Sequence, residues 1–340
     1  MIDIKSLNRQ ELMDWLTRHG IRTFRADQIL KWLYLRRADH FDLMTDLSKD
    51  LRARLARHFF ISRMPVDRKL SSQDGTLKYL FRLQDGHTVE SVLIPEKDHH
   101  TLCVSSQVGC AQGCRFCLTG KGGLVRNLTA AEITGQVWET RKDIPDPDRL
   151  TNLVFMGMGE PLANYRQLIP ALEILTNSQW GMKFANRRIT ISTAGIVPRI
   201  RDLGRDTKVN LAISLNAAAD ADRTALMPIN RQYPIADLLN ACHDHPLTKG
   251  RKITFEYILF KGVNDTPDHA RQLTKTLAGL KAKINLIPFN PYPESEFQRP
   301  DEAHINDFQK ILTDKNYTAI VRYSKGLDIM AACGQLRATP

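Results

Sequence analysis

Apolar residues recur at helical spacing three times near the start of the chain. Leu7 to Leu16 follows an Asn8 cap candidate, Phe24 to Tyr34 repeats the pattern, and Leu43 to Phe60 repeats it again with many arginines. These stretches predict a helical unit over residues 1–62. The period then changes. Thr76 to Leu83 alternates, Asp85-Gly86 is a hairpin signal, and Thr88 to Ile94 alternates back, which predicts a β-hairpin connector over 63–95. From residue 96 strand and helix patterns take turns. Strands are predicted at 102–108, 152–156, 188–192, 209–215, 253–259 and 284–287, with helices such as 130–141, 165–175, 235–243 and 267–280 between them. Six β-then-α units predict an α/β fold, a partial (β/α)6 barrel over 96–340, because parallel strands need crossover helices and a full barrel needs eight units.

In such folds the working residues follow the C-terminal ends of strands. After the first strand comes Cys110-Ala-Gln-Gly-Cys114-Arg-Phe-Cys117. Thiolates at this spacing converge on one soft metal centre if the loop is tight, and Gly109 and Gly113 permit that. A closed zinc site needs four ligands. Three thiolates on an iron–sulfur cube leave one iron open to a ligand. Cys103, seven residues upstream of Cys110, is available as a fourth ligand. The bland alternative is inert, buried cysteines, although clustered Cys with interleaved Gly is poor core material.

Later strand ends are also unusual. Gly157-Met158-Gly159-Glu160-Pro161 offers close backbone approach and a carboxylate for an ammonium group, or is an ordinary turn. Ser192-Thr193-Ala194-Gly195 and Ser214-Leu215-Asn216 offer polar strand ends, or helix caps. Pro288-Phe289-Asn290-Pro291 follows the sixth strand, and Asn290 offers an amide able to read a purine edge.

Composition adds two things. The formal net charge of +11 favours a polyanionic partner. Arg25, Lys31, Arg36, Arg37, Arg52, Arg54 and Arg57 concentrate it in the helical unit, as a nucleic-acid face or a solvated one. Clustered thiols imply a reducing compartment and metal rather than disulfide scaffolding. No apolar run reaches about 18 residues, so no membrane span is expected. Met1-Ile2-Asp3-Ile4-Lys5 lacks a basic segment before an apolar core, so no signal peptide is expected either.

The motif Cys-x3-Cys-x-Phe-Cys resembles the signature of the radical S-adenosylmethionine (SAM) superfamily. Its flanks, Val104 to Cys110, Thr119-Gly120-Lys121 and Asn127 to Ile133, are similar to RlmN-type adenine-C2 RNA methyltransferases. So are Phe24 to Ile29, Met44 to Ser48, Val89-Glu90-Ser91-Val92-Leu93-Ile94-Pro95 and Ala332-Cys333-Gly334-Gln335-Leu336. The resemblance runs from about residue 7 to 337. It implies a 4Fe-4S cluster on Cys110, Cys114 and Cys117, and two SAM molecules per turnover. It implies that Cys333 carries a methyl group, that Glu90 accepts the ring proton, and that Cys103 is a resolving thiol, transiently disulfide-bonded to Cys333. Gly159 and Glu160 would hold the amino group of SAM, Ser192, Ser214, Leu215 and Asn216 its carboxylate or ribose, and Asn290 its adenine. The implied substrates are 23S rRNA in the peptidyl-transferase region and the tRNA adenosine 3′ of the anticodon. The implied partner is an electron donor such as flavodoxin with its reductase. A cytoplasmic monomer is expected. Cys242 has no comparable context and reads as structural.

A radical route suits this chemistry, since carbon 2 of adenine lies between two ring nitrogens and is too electron-poor to attack a sulfonium methyl. Three residues depart from the family pattern: Asn216 where His is common, Met330 where Asp is usual, and Leu118 where a small residue is usual. Activity is expected to survive them. Two rival readings remain. One is the related Cfr-type carbon-8 methylation, against which stand Glu160-Pro161, Ile94-Pro95-Glu96 and Pro288-Phe289-Asn290. The other is a non-catalytic RNA-binding protein with zinc on Cys103, Cys110, Cys114 and Cys117.

Overall fold

The alternation read from residue 76 onward builds most of one ten-stranded sheet, seen in a computed structural model that describes residues 1–337. Its strands are β1 (Val66–Ser71), β2 (Leu77–Arg82), β3 (Thr88–Pro95), β4 (His100–Cys103), β5 (Leu150–Phe155), β6 (Ile189–Thr193), β7 (Asn210–Ser214), β8 (Ile253–Leu259), β9 (Ala282–Pro288) and β10 (Thr318–Val321). They lie side by side in sequence order. β1 to β4 pair antiparallel, and β4 to β10 pair parallel. The predicted (β/α)6 pattern is present, with crossover helices including Ala130–Asp143, Tyr165–Thr176, Val197–Asp206, Ile235–Asp244, Pro267–Thr276 and Glu302–Asp314. β10 adds a seventh parallel strand.

Two elements differ from expectation. The hairpin is a three-stranded meander, continuous with the barrel sheet through β3 and β4. β1 escaped notice because all six of its residues are exposed, which leaves no alternation to read. The first barrel strand also stops early, at Cys103. Ser105 Oγ donates to the Glu90 carbonyl at 2.6 Å and accepts from the Met158 N–H at 2.8 Å, which bends the chain. Residues Gln107–Gly109 then pair with Leu124–Asn127 in a separate ribbon.

The helical unit contains Arg9–Arg18, Arg25–Leu30 and Lys49–His58. Asn8 caps the first helix in a full capping box with Glu11. The third begins later than its apolar pattern because Ser48 caps it. The unit packs on helix Ala130–Asp143. Trp138 Nε1 donates to the Leu33 carbonyl at 3.0 Å, and Arg63 pairs with Glu139 at 2.7 Å. Several of its arginines donate to backbone carbonyls, among them Arg37, Arg52 and Arg54. A carbonyl does not neutralise a guanidinium, so Arg37 and Arg52 keep their charge, whereas Arg54 also lies 4.0 Å from Asp50.

Beyond β10 the chain returns to the meander and ties the two ends of the sheet together. The Gly326 N–H donates to Asp74 at 2.8 Å, and Asp328 accepts from Ser72 Oγ at 2.6 Å and from the Gln73 N–H at 3.1 Å. Lys325 donates to the Pro95 carbonyl. Burial would raise the Asp74 carboxyl, but the Gly326 N–H, with Thr76 and Ser72, outweighs it and holds it at about 2. Its contribution to tail docking is therefore complete above the unfolded value of 3.8 and is lost as pH falls through about 2. No described helix is long and apolar enough to cross a membrane. We predict that Asp74→Ala loosens this segment, so that Cys333 is alkylated several-fold faster than in the wild type while Cys242 is not, measured by peptide mass spectrometry. Equal Cys333 rates in the two proteins would contradict the docking role.

Candidate active site

The loop that carries Cys110, Cys114 and Cys117 is fixed at three points. The Cys110 N–H donates to the Gly123 carbonyl (2.8 Å), Arg115 N–H to Leu226 (3.1 Å) and Leu118 N–H to Gly334 (2.8 Å). Gly109 is required: its φ is +76°, and a Cβ there would sit 2.0 Å from the Gly123 carbonyl oxygen. Gly113, at φ +64°, makes the turn between the first two cysteines.

All three thiols line one cavity of about 130 Å³ at the C-terminal ends of the strands. Gly159, Glu160, Ser192, Ser214 and Asn216 line it too, so most of the predicted cofactor residues meet there. Leu215 and Asn290 are absent from this lining. Leu215 spends its N–H on the Glu256 carbonyl, and the Asn290 amide donates to the Cys333 carbonyl at 3.2 Å. One N–H of the Asn290 amide therefore braces the tail.

Other residues in the lining have structural duties as well. Glu160 accepts from the N–H groups of Leu162 (3.0 Å) and Ala194 (2.7 Å). Burial, against those bonds and one from Thr193, pushes its carboxyl up to about 7. Gly159 has φ +96°, and a Cβ would meet the Gln107 side chain at 2.5 Å, so the loop's closeness is first to the 104–107 segment. Asn216 sits in the left-handed region (φ 59°), where Asn is tolerated. Its Oδ1 accepts from the Ile258 N–H at 2.9 Å. Ser192 and Ser214 hydroxyls lie 3.5 Å apart.

A second cavity of about 600 Å³ lies on the other side of Cys333. Cys103, Glu256, Asn285 and Thr254 face it, with Arg187, Arg188, Arg322 and Lys325 also in its wall. Cys103 does not line the first cavity. Cys333, Met156, Glu256, Ile287 and Leu336 line both. Cys333 is surrounded by protein, yet its side chain is solvent-accessible because it opens onto these spaces. All six cysteines are free thiols. Burial pushes Cys103 up to about 12 against a bond to the Met156 backbone. Burial likewise raises Cys333, with Cys103, Cys117 and Glu256 adding to it.

The donor set fits an iron–sulfur cube better than a single ion. Ligands of one zinc must come within about 4 Å of one another, since Zn–S bonds are only about 2.3 Å. Cys103, the fourth ligand that a closed zinc site would need, does not line the cavity of the other three. The three thiols face one space, as ligands to three different irons would. Cys110 is pushed up to about 12 and Cys114 higher, first by burial and then by the neighbouring cysteines. A bound cluster supplies the positive charge that relieves this.

Sequence reasoning missed Arg223. It is fully buried and ties two strand ends together, donating to the carbonyls of Ala194 (2.6 Å) and Leu215 (3.2 Å) and to Asn230 (2.8 Å). Burial lowers it to about 10, with Cys114 acting the other way. No local pattern marks it, because its partners are carbonyls distant in the chain.

Glu90 lies on the inner face of β3, two residues before Val92, which faces the second cavity. Its carboxylate faces neither cavity. It pairs with Lys78 at 3.1 Å and accepts from the Arg337 N–H at 2.9 Å. Lys78 also donates to the Met330 carbonyl at 3.1 Å. Met330 is in the left-handed region (φ 53°), where Asp is better tolerated, and packs in an apolar cluster with Leu118. Two of the departures from the family pattern thus meet in one patch of the tail.

The chain matches the family described as "Ribosomal RNA large subunit methyltransferase N-terminal domain" over residues 2–61, and the "Radical SAM superfamily" over residues 104–273. It is 55% identical to a "Dual-specificity RNA methyltransferase RlmN" of Desulfosudis oleivorans, over 99% of this chain and 91% of that one. A protein of the same name from Geobacter sulfurreducens is 53% identical over 99% of this chain and 92% of its own. The crystal structure of a radical SAM methyltransferase from Sphaerobacter thermophilus superposes with a TM-score of 0.92, 45% identity and full coverage of both chains.

We predict that Cys110→Ala, Cys114→Ala or Cys117→Ala each abolishes iron binding in protein purified without oxygen. Cys103→Ala and Cys333→Ala should keep the wild-type iron and sulfide content. Loss of metal in Cys103→Ala would instead establish a four-cysteine site.

Proposed function

The chain belongs to the RlmN family of radical SAM RNA methyltransferases, and we propose that it methylates carbon 2 of adenosine in 23S rRNA and tRNA through a methyl group carried on Cys333. One observation carries this reading: Cys333 stands in the wall between a cavity lined by the three cluster cysteines and a cavity lined by Cys103. A residue that takes a group from one molecule and gives it to another needs that position.

The chain's residues divide the work. The thiol of Cys333 loses its proton and takes the methyl of one SAM, leaving S-adenosylhomocysteine. Cys110, Cys114 and Cys117 would hold a 4Fe-4S cluster, which with a second SAM would supply a radical able to take a hydrogen atom from the methyl group on Cys333. Cys333 then presents a methylene that joins carbon 2, forming a carbon–carbon bond and a thioether between protein and RNA. The ring gives up one electron, which the cluster held by Cys110, Cys114 and Cys117 would take back, and its proton goes to Glu90. The Cys103 thiolate attacks the Cys333 sulfur, the S–CH₂ bond breaks, and the carbon takes a proton to become the methyl product. The Cys103–Cys333 disulfide left behind must be reduced before the next turnover. Glu90 reaches the base only after its bonds to Lys78 and Arg337 yield, so the 330–337 segment moves during the cycle.

The second cavity has room for one extruded base, and Arg187, Arg188, Arg322 and Lys325 would draw the phosphates of its strand to the opening. The helical unit supplies a further basic face. We assign the SAM amino group to Gly159 and Glu160, and its carboxylate and ribose to Ser192, Ser214 and Asn216. An external one-electron donor such as flavodoxin, a monomeric state and a cytoplasmic setting complete the reading.

Carbon-8 methylation uses the same parts and is distinguished by the product. Nucleoside mass spectrometry against standards should give 2-methyladenosine, and 8-methyladenosine would overturn the assignment. Cys333→Ala should give no product, while Cys103→Ala should accumulate the protein–RNA thioether, visible as a slow-migrating covalent band. Free methylated RNA from Cys103→Ala at the wild-type rate would remove Cys103 from the reaction. Met330→Asp should leave the yield within about twofold, since the left-handed strain it relieves is of order 1 kcal/mol.

A further inference from the structure

Glu256 sits at the middle of β8, beside Ser214 on β7 and Asn285 on β9. It is 7% exposed and makes no salt bridge among the described residues. Asn285 Nδ2 donates to its Oε1 at 3.0 Å. The other end of that amide, Asn285 Oδ1, is buried with no hydrogen-bond partner. A buried acceptor left empty costs free energy that only a ligand or a water repays. Both residues face the second cavity together with Cys103 and Cys333. The pair has no part in holding the fold's backbone and no part in the reaction steps given above.

The position relative to Cys333 says what would fill it. Carbon 2 of adenine lies between N1 and N3, so a base that offers carbon 2 to Cys333 with its N1 side toward this pair places N1 next to the thiol and the 6-amino group, on the following ring carbon, further along the same edge. That edge presents an acceptor at N1 and a donor at the amino group, and guanine presents the reverse. The pair can answer it. Asn285 Oδ1 accepts from the amino group, and the Glu256 carboxyl donates its proton to N1. We propose that Glu256 and Asn285 read the N1 and 6-amino edge of the target adenine and so set the base specificity of the enzyme. Burial raises the Glu256 carboxyl to about 7, against Asn285, Lys283 and Arg322, which agrees with a group able to donate. The inference rests on the reading of the substrate as an adenine methylated at carbon 2.

The test uses the cluster-loaded, reduced full chain and two RNA stem-loops. One carries adenosine at the target site, and the other carries purine riboside, which lacks only the 6-amino group. Wild type should lose about tenfold to a hundredfold in kcat/KM on the purine RNA. In Asn285→Ala that loss should shrink to within about twofold, because the amino group no longer has its acceptor. Glu256→Gln keeps a donor and an acceptor and should retain most activity, whereas Glu256→Leu should lose about a hundredfold. Methylation of Cys333, read by peptide mass spectrometry, should persist in all variants and shows that they are folded and bind SAM. An equal penalty for the purine RNA in wild type and Asn285→Ala, or no penalty in wild type, overturns the proposal without depending on any variant of Glu256. Failure of wild type to methylate the adenosine RNA at carbon 2 would instead bring down the substrate reading itself, and this inference with it.

Discussion

The thiol of Cys333 lies in the wall between two cavities, and beyond β10 the tail that carries it has only one short 3-10 turn, Leu327–Ile329. Its position is set by hydrogen bonds to three separate parts of the chain. Asp74 and Ser72 on the meander hold residues Gly326 and Asp328, the Leu118 N–H holds the Gly334 carbonyl, and Asn290 holds the carbonyl of Cys333 itself. The cluster loop, the last barrel loop and the antiparallel extension therefore meet at one residue. This explains why the meander continues the barrel sheet. It is the far wall against which the tail closes, and without it Cys333 would be a cysteine on a loose end.

The same closure leaves charged and polar groups buried, and each is held by a named partner. Arg223 is held by the carbonyls of Ala194 and Leu215 and by Asn230. Glu160 is held by backbone N–H groups. Glu90 is held by Lys78 and the tail. A low-dielectric interior makes such arrangements costly unless they are nearly complete. Asn285 Oδ1 is one of several buried polar atoms left without a partner, and its residue lines the second cavity beside Cys103 and Cys333.

Much of this was legible in the sequence. The three-cysteine spacing with Gly109 and Gly113 marked a tight loop, and its three thiols face one cavity. The switch from helical to alternating period marked the change from the helical unit to the sheet. β1 was hidden because its residues are all exposed, and β10 because a four-residue strand carries too little pattern. Strand-end position pointed to Ser192, Ser214 and Glu160, and these line one cavity. It could not show that the Asn290 amide bonds the tail. Nor could it find Lys78, Arg223 or Glu256, which sit inside ordinary strand or helix patterns and acquire a role only through residues distant in sequence.

In the proposed reaction the methyl group rests on Cys333 before it reaches RNA. The direct measurement is turnover with SAM whose methyl is fully deuterated, followed by mass analysis of the methylated nucleoside. A methyl that has been carried on Cys333 must give up one deuterium to join the ring and takes a solvent proton on release, so the product should hold a CHD₂ group. A product with an intact CD₃ group would mean direct transfer from SAM, and would contradict the placement of Cys333 between the two cavities as the basis of the reaction.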